Sequence, residues 1–238
     1  MRKQLTFGGK SLTDFDTFFD GSQLFITPQK SVEKVSVIGR NGDLIIDNNR
    51  FENVTIPVNC FIRTNFQENY AGLMNYLLSR KGYQRFETSN EPDIYRMAQF
   101  VASIEPNTGA WNNSGQFTLE FDCKPEKWLK SGEIEVSVIA GTGDITLFNP
   151  TNFIAKPLIQ VKGGGAFTVN GYSYSVTQTS AQWATIDCEN MDVYRCSTNL
   201  NPSYTYVTKE FPELNPGANT LRLGDAGEIK ITPRWYEI

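Results

Sequence analysis

The sequence predicts a mainly β protein built in two parts, an N-terminal β domain carrying one α-helix and a C-terminal β-sandwich. Three observations carry that reading. At 238 residues the chain exceeds the usual size of a single core. Only one segment repeats its apolar residues with helical period. Elsewhere, period-two alternation and two Asn-Gly dipeptides mark strands and hairpins.

In chain order, Val32–Arg40 and Leu44–Asp47 flank Asn41-Gly42. Both residues of that dipeptide tolerate positive φ, so the sequence predicts a two-residue type I′ turn. The helix follows. Tyr70, Leu73, Met74, Leu77 and Leu78 recur at i, i+3, i+4, i+7 and i+8, an amphipathic face that must bury against a sheet. Asn65 with Glu68 forms a capping-box-like start. Arg80 and Lys81 are expected in the last turn, with Gly82 as a left-handed C-cap.

Lys124–Gly132 reads as a connector, and Ile134, Val136 and Val138 form a strand after it. The division is placed near Ser131, giving domains 1–131 and 132–238. In the second part Asn170-Gly171 joins Ala166–Val169 to Tyr172–Val176, a second type I′ hairpin. Phe167, Val169, Tyr172, Tyr174 and Val176 alternate with small polar residues, as do Ala184, Ile186 and Cys188. Pro216-Gly217 turns the chain into a strand, and Ile229–Trp235 reads as the last one.

Composition narrows the function classes. A net charge of −4 argues against nucleic acid as a direct ligand, since such binders show basic stripes. No apolar run approaches the roughly 20 residues that span a bilayer, and no apolar stretch follows the basic start, so neither membrane insertion nor a leader is expected. Histidine is absent. This excludes Ser-His-Asp and Cys-His catalysis and the usual zinc sets, so no catalytic, cofactor or metal residue is assigned.

Cys60, Cys123, Cys188 and Cys196 are expected as buried or half-buried free thiols. A hairpin of Trp183–Cys188 with Val193–Cys196 would set Cys188 opposite Val193. The pairs Asp14/Asp16 and Glu133/Glu135 would share a strand face at about 6–7 Å, which fits charged surface better than a carboxylate pair at work. Trp111, Trp183 and Trp235 are either interface anchors or half-buried packing.

Several segments, in order, resemble siphophage distal tail proteins. In the first half these are Phe7 with Gly8-Gly9, Asp14-Phe15, Val37-Ile-Gly-Arg-Asn-Gly-Asp-Leu44, the helix, Pro92-Asp-Ile-Tyr95 and Gly115–Pro125. They resemble the family's ring-forming belt domain, a tail-tube-like fold. In the second half Asn149-Pro150, Ala155-Lys-Pro157, Gly163-Gly-Gly165, Ile186-Asp187 and Phe211–Leu221 resemble its galectin-like sandwich.

The resemblance implies a structural virion protein made in the host cytoplasm. It would form a homohexameric ring at the distal tip of a long non-contractile tail. Its partners would be the major tail-tube protein, a tail-associated lysin or tip protein, and a receptor-binding protein. Arg40, Asn41 and Gly42 are the candidate ring-contact hairpin. The alternative is a stand-alone carbohydrate-binding sandwich. The galectin sugar constellation includes a histidine that this chain lacks, so no sugar site is carried over, and the chain has no room for an inserted carbohydrate-binding module.

Overall fold

A computed structural model of the chain describes residues 3–21, 25–101, 104–108, 113–141, 143–178 and 181–238. It divides into two compact units, 1–127 with Ile238, and 128–237. Each has its own core. Among the described residues no helix is long and apolar enough to cross a membrane.

In the first unit the strands are β1 (Leu5–Phe7), β2 (Lys10–Ser11), β3 (Thr17–Phe19), β4 (Lys30–Val35), β5 (Leu44–Phe51) and β6 (Val54–Ile62). Helix α1 (Phe66–Ser79) follows, then β7 (Gln84–Thr88), β8 (Ile94–Phe100), β9 (Asn107–Thr108) and β10 (Gly115–Leu129). The main sheet runs β2-β1-β7-β8-β10-β6-β3, while β4 and β5 form a separate two-stranded ribbon. Alternation fixes the faces: Phe117, Leu119, Phe121 and Cys123 on β10 are buried, and Gln116, Thr118 and Glu120 between them are exposed. The buried row meets Leu5, Phe7, Phe86, Leu73 and Leu77 in one core. Phe121 sits at its centre, with the rings of Phe7 and Phe86 at 5.0 and 5.1 Å. Each such aromatic or aliphatic side chain contributes about 1.5–3 kcal/mol by leaving water.

The helix forms where expected, but three of its details differ. Its buried stripe is Phe66, Leu73, Tyr76 and Leu77, with Tyr70 and Met74 partly covered, while Leu78 is 70% exposed. Leu78 lies one residue, about 100° of helical turn, beyond Leu77 and rotates off the sheet. Tyr76 is drawn inward because its hydroxyl donates to the carbonyls of Phe7 and Gly8 at 2.8 and 3.0 Å. Asn65 occupies the N-cap but is left-handed (φ 48°) and makes no side-chain cap. Asn113 supplies the capping instead, accepting from the Asn65 N–H through Oδ1 and from the Phe66 N–H through its carbonyl, both at 3.2 Å. The helix ends at Ser79 with Arg80 already extended, so no basic residue occupies its last turn. Gly82 has positive φ (65°) but lies two residues past the cap position.

The Asn41-Gly42 turn is also corrected. The hairpin exists, with Val35 opposite Leu44, but residues 36–43 form an eight-residue loop. Gly42 has φ 81°, whereas Asn41 does not have positive φ. The tight reversal is instead Val37–Arg40, closed by the Arg40 N–H to Val37 carbonyl bond at 3.2 Å, with Gly39 at φ 83°. That is the geometry of a type II turn.

In the second unit the strands are β11 (Val136–Ile139), β12 (Ile145–Asn149), β13 (Leu158–Lys162), β14 (Gly165–Val169), β15 (Tyr172–Val176), β16 (Trp183–Asp187), β17 (Asp192–Arg195), β18 (Thr198–Asn199), β19 (Tyr204–Tyr206), β20 (Gly217–Leu223), β21 (Glu228–Thr232) and β22 (Tyr236–Glu237). Sheets β11-β21-β13-β16-β17-β18 and β12-β20-β14-β15-β19 share one core. Asn170 and Gly171 take φ 51° and 82°, and Val169 faces Tyr172, as a type I′ turn requires. Of the alternating set only Tyr172 is exposed, at the turn end of its strand.

Further readings change. Lys124–Leu129 is not an irregular connector but the last part of β10, within which the two units divide between Lys127 and Trp128, and Ile134 is outside β11 and exposed. Ile186, not Cys188, faces Val193; the strand ends one residue earlier, with Asp187 facing Asp192. Trp235 is buried but does not continue the Ile229–Ile231 strand. Arg234, left-handed at φ 60°, interrupts it and turns its guanidinium onto Asp187 at 2.7 and 3.5 Å. The acidic pairs do not sit on strands. Asp14 lies in a 3-10 turn, and left-handed Asp16 follows it. Glu133 closes another 3-10 turn, with Glu135 outside β11.

Candidate assembly surface

The β4–β5 ribbon departs from everything else in the chain. Its sequence is rich in β-branched and aliphatic residues, yet every residue from Glu33 to Arg50 is exposed. The register aligns Val35 with Leu44, and Glu33 with Ile46, on one face; Lys34 with Ile45, and Val32 with Asp47, lie on the other. Val35, Leu44 and Ile46 are 36%, 43% and 45% exposed, Ile45 is 62% exposed, and Ile38 in the loop is fully so. Monomeric surfaces rarely hold such a contiguous apolar patch, and an isolated two-stranded ribbon has little stability of its own.

Polar groups pin the ribbon at its base. Lys30 pairs with Asp47 across the strands, and Asp47 also accepts from the Asn49 N–H at 2.9 Å. The bond from Lys30, then that from Asn49, lowers the Asp47 carboxyl below its ordinary value. Arg50 clasps Glu52 at 2.7 and 2.9 Å, and hydrogen bonds from Ser31 and then Arg50 likewise lower Glu52. The result is a charged root and an apolar blade. Arg40, Asn41 and Gly42 lie in the exposed loop at its end. The sequence reading stopped at these tip residues and missed Val35, Leu44 and Ile46. The available signal was Leu44-Ile45-Ile46, apolar on both faces of what was read as an ordinary hairpin.

The other singled-out residues are absorbed structurally. Asp16 accepts from the Thr64 N–H and hydroxyl at 3.1 and 2.7 Å, and Glu135 pairs with Lys230 at 2.8 Å. Trp235 belongs to the second core. Half-buried Trp183 carries the Lys162 and Lys230 ammoniums over its ring at 5.6 and 5.1 Å. Trp111 lies outside the described residues. Cys60, Cys123 and Cys188 are buried free thiols, whereas Cys196 is exposed, contrary to expectation. Among the described residues no group of three or more His, Cys, Asp or Glu side chains is placed to hold a metal.

Among the described residues the chain thus combines a two-unit β architecture with an exposed apolar ribbon. Residues 10–123 match the model of the phage tail protein RIFT-related domain. That stretch, just under half of the chain, is similar to this family of phage tail domains. The crystal structure of the phage SPP1 Dit protein (gp 19.1), described as a paradigm of the hub adsorption apparatus in phages infecting Gram-positive bacteria, has a TM-score of 0.76 to this chain. Identity is 14%, and the match covers 100% of both chains. A chain of the phage p2 baseplate in its activated, strontium-containing conformation has a TM-score of 0.52 at 15% identity, covering 96% of this chain and 97% of that one. No curated protein sequence is significantly similar to this chain.

Proposed function

We propose that the protein is a hub at the distal tip of a siphophage tail, assembled as a homohexameric ring. The observation that carries this reading is the end-to-end fold match to a tail hub protein, and the exposed ribbon gives it a physical basis. The N-terminal part, 1–131 in the sequence division, makes the ring, with the Arg40-Asn41-Gly42 loop and its ribbon reaching a neighbour. One ring face continues the major tail-tube protein, and the other docks a tail-associated lysin or tip protein. The C-terminal part, 132–238, is a galectin-like sandwich offering attachment to receptor-binding proteins. Its role is adhesive scaffolding rather than catalysis, at the virion tail tip after synthesis in the host cytoplasm.

Solution mass tests the reading. Six chains of 26.8 kDa give a species of about 161 kDa with ring-shaped images. A chain that stays monomeric alone and when co-expressed with the tail-tube and tip proteins rejects it.

A further inference from the structure

At the turn between β7 and β8, two buried polar atoms have no hydrogen-bond partner among the described residues. One is the hydroxyl of Thr88, the last residue of β7, which is 6% exposed. The other is Nη2 of Arg96 on β8, a residue 5% exposed, whose Nη1 donates to the Glu91 carboxylate at 2.6 Å. The register brings the two atoms to one place. Arg96 faces Phe86, which lies two residues before Thr88, so both side chains stand on the buried face of the sheet. Glu91 holds the guanidinium at the turn, because its own N–H donates to the Thr88 carbonyl at 3.3 Å. The β7–β8 ladder stops at the Phe86–Arg96 pair, so backbone bonds do not draw Thr88 against β8. On its other side Thr88 pairs with Leu5, and the Ser89 N–H donates to the Gln4 carbonyl at 2.8 Å.

We infer that Arg96 Nη2 and Thr88 Oγ1 hold one ordered internal water molecule between them, a hydration site within the first core. Buried polar groups left without a partner are costly and rare in folded proteins. The chemistry of the two atoms selects the occupant. Arg96 Nη2 only donates, whereas the hydroxyl donates or accepts, so the bridging group must accept from arginine. An anion could accept, but the Glu91 carboxylate already balances the guanidinium. A further negative charge would lie unpaired in the core. Water accepts from Arg96, donates to Thr88 and adds no charge, as internal waters do among buried polar groups. It joins the end of β7 to β8 where their ladder has stopped. The site lies in the first unit alone and does not depend on the ring.

The test is a high-resolution crystal structure of the full-length protein, with one crystal kept in chloride and another transferred to bromide. The expected result is a peak about 3 Å from both atoms that carries no anomalous signal in bromide. A bromide signal at the site, a direct Arg96–Thr88 bond or the lack of any peak overturns the inference. Thr88→Val supplies an independent measure, because it removes the hydroxyl and nearly keeps the shape. With the water in place a bond is lost, and Tm should fall by about 2–4 °C. In a dry core the same change removes an unsatisfied group, so an unchanged or raised Tm overturns the inference. The Thr88→Ser crystal, which keeps the hydroxyl, should retain the peak, and its loss there counts equally against the site.

Discussion

The chain uses Asn-Gly twice, and the two hairpins differ in almost every other respect. Asn170-Gly171 closes a two-residue turn between strands whose Phe167, Tyr174 and Val176 are at most 1% exposed. Asn41-Gly42 lies in an eight-residue loop on a ribbon exposed along its length. The dipeptide permits positive φ at low cost, but it does not impose a turn. Packing does that: a one-residue slip in β14–β15 would turn a buried face to solvent, whereas a slip in β4–β5 changes little within a single chain.

This comparison predicts where substitutions act. The largest contrast is Phe167→Ala, which should cost about 4 kcal/mol by opening a core cavity, against Ile45→Ala, which should leave thermal unfolding of the isolated chain within about 0.5 kcal/mol. Ile45→Ala should nonetheless lower the oligomer fraction in sedimentation. Equal stability losses at the two sites would erase the distinction between the hairpins.

A somewhat smaller effect attends Asp187, which ties β16 to Arg234. Replacing it with Ala leaves a largely covered guanidinium unpaired and should cost about 3 kcal/mol. Burial pushes the Asp187 carboxyl up, but hydrogen bonds and charge from Arg234, then Asn190, outweigh it and leave the carboxyl below its ordinary value. The pair therefore contributes fully above the unfolded-chain carboxylate range, and its contribution fades as acid protonates the folded group, below about pH 4. Unfolding midpoints of wild type and Asp187→Ala should converge as pH falls through that window.

Valine at the two turn glycines gives the next test. Gly171 and Gly42 have φ 82° and 81°, and nothing lies within 4 Å of an added Cβ at either. Strain of about 1–3 kcal/mol at a β-branched residue should appear in the Tm for Gly171→Val. For Gly42→Val it should appear only in assembly, since the loop can distort without unpacking a core. A matching fall in Tm at both positions would show that the ribbon is coupled to the fold of the chain.

The smallest effect is chemical. Burial raises the thiols of Cys60 and Cys188 and pushes Cys123 up to about 12. A thiol reagent at pH 8 should label Cys196 alone in the folded protein, and all four cysteines on unfolding. Fast labelling of a second cysteine would place one of the two cores open.

What the sequence determined by itself was set by near neighbours along the chain. The 3.6-residue spacing of Tyr70, Leu73 and Leu77 made a helix, period-two alternation on β14–β16 made strands, and Asn170-Gly171 made its turn. The mainly β class and the family resemblance followed from such local patterns and their order. Tertiary structure decided what distant groups supply. Asn113, 48 residues away, caps the helix that Asn65 does not. Tyr76 displaces Leu78 from the stripe because the carbonyls of Phe7 and Gly8 are there to accept its hydroxyl. The assembly surface was hidden for the same reason. Leu44, Ile45 and Ile46 read as core in any window of sequence, and only the register and the absence of a covering layer among the described residues turn them outward. Burial is a property of the whole packed molecule, and no local spacing encodes it.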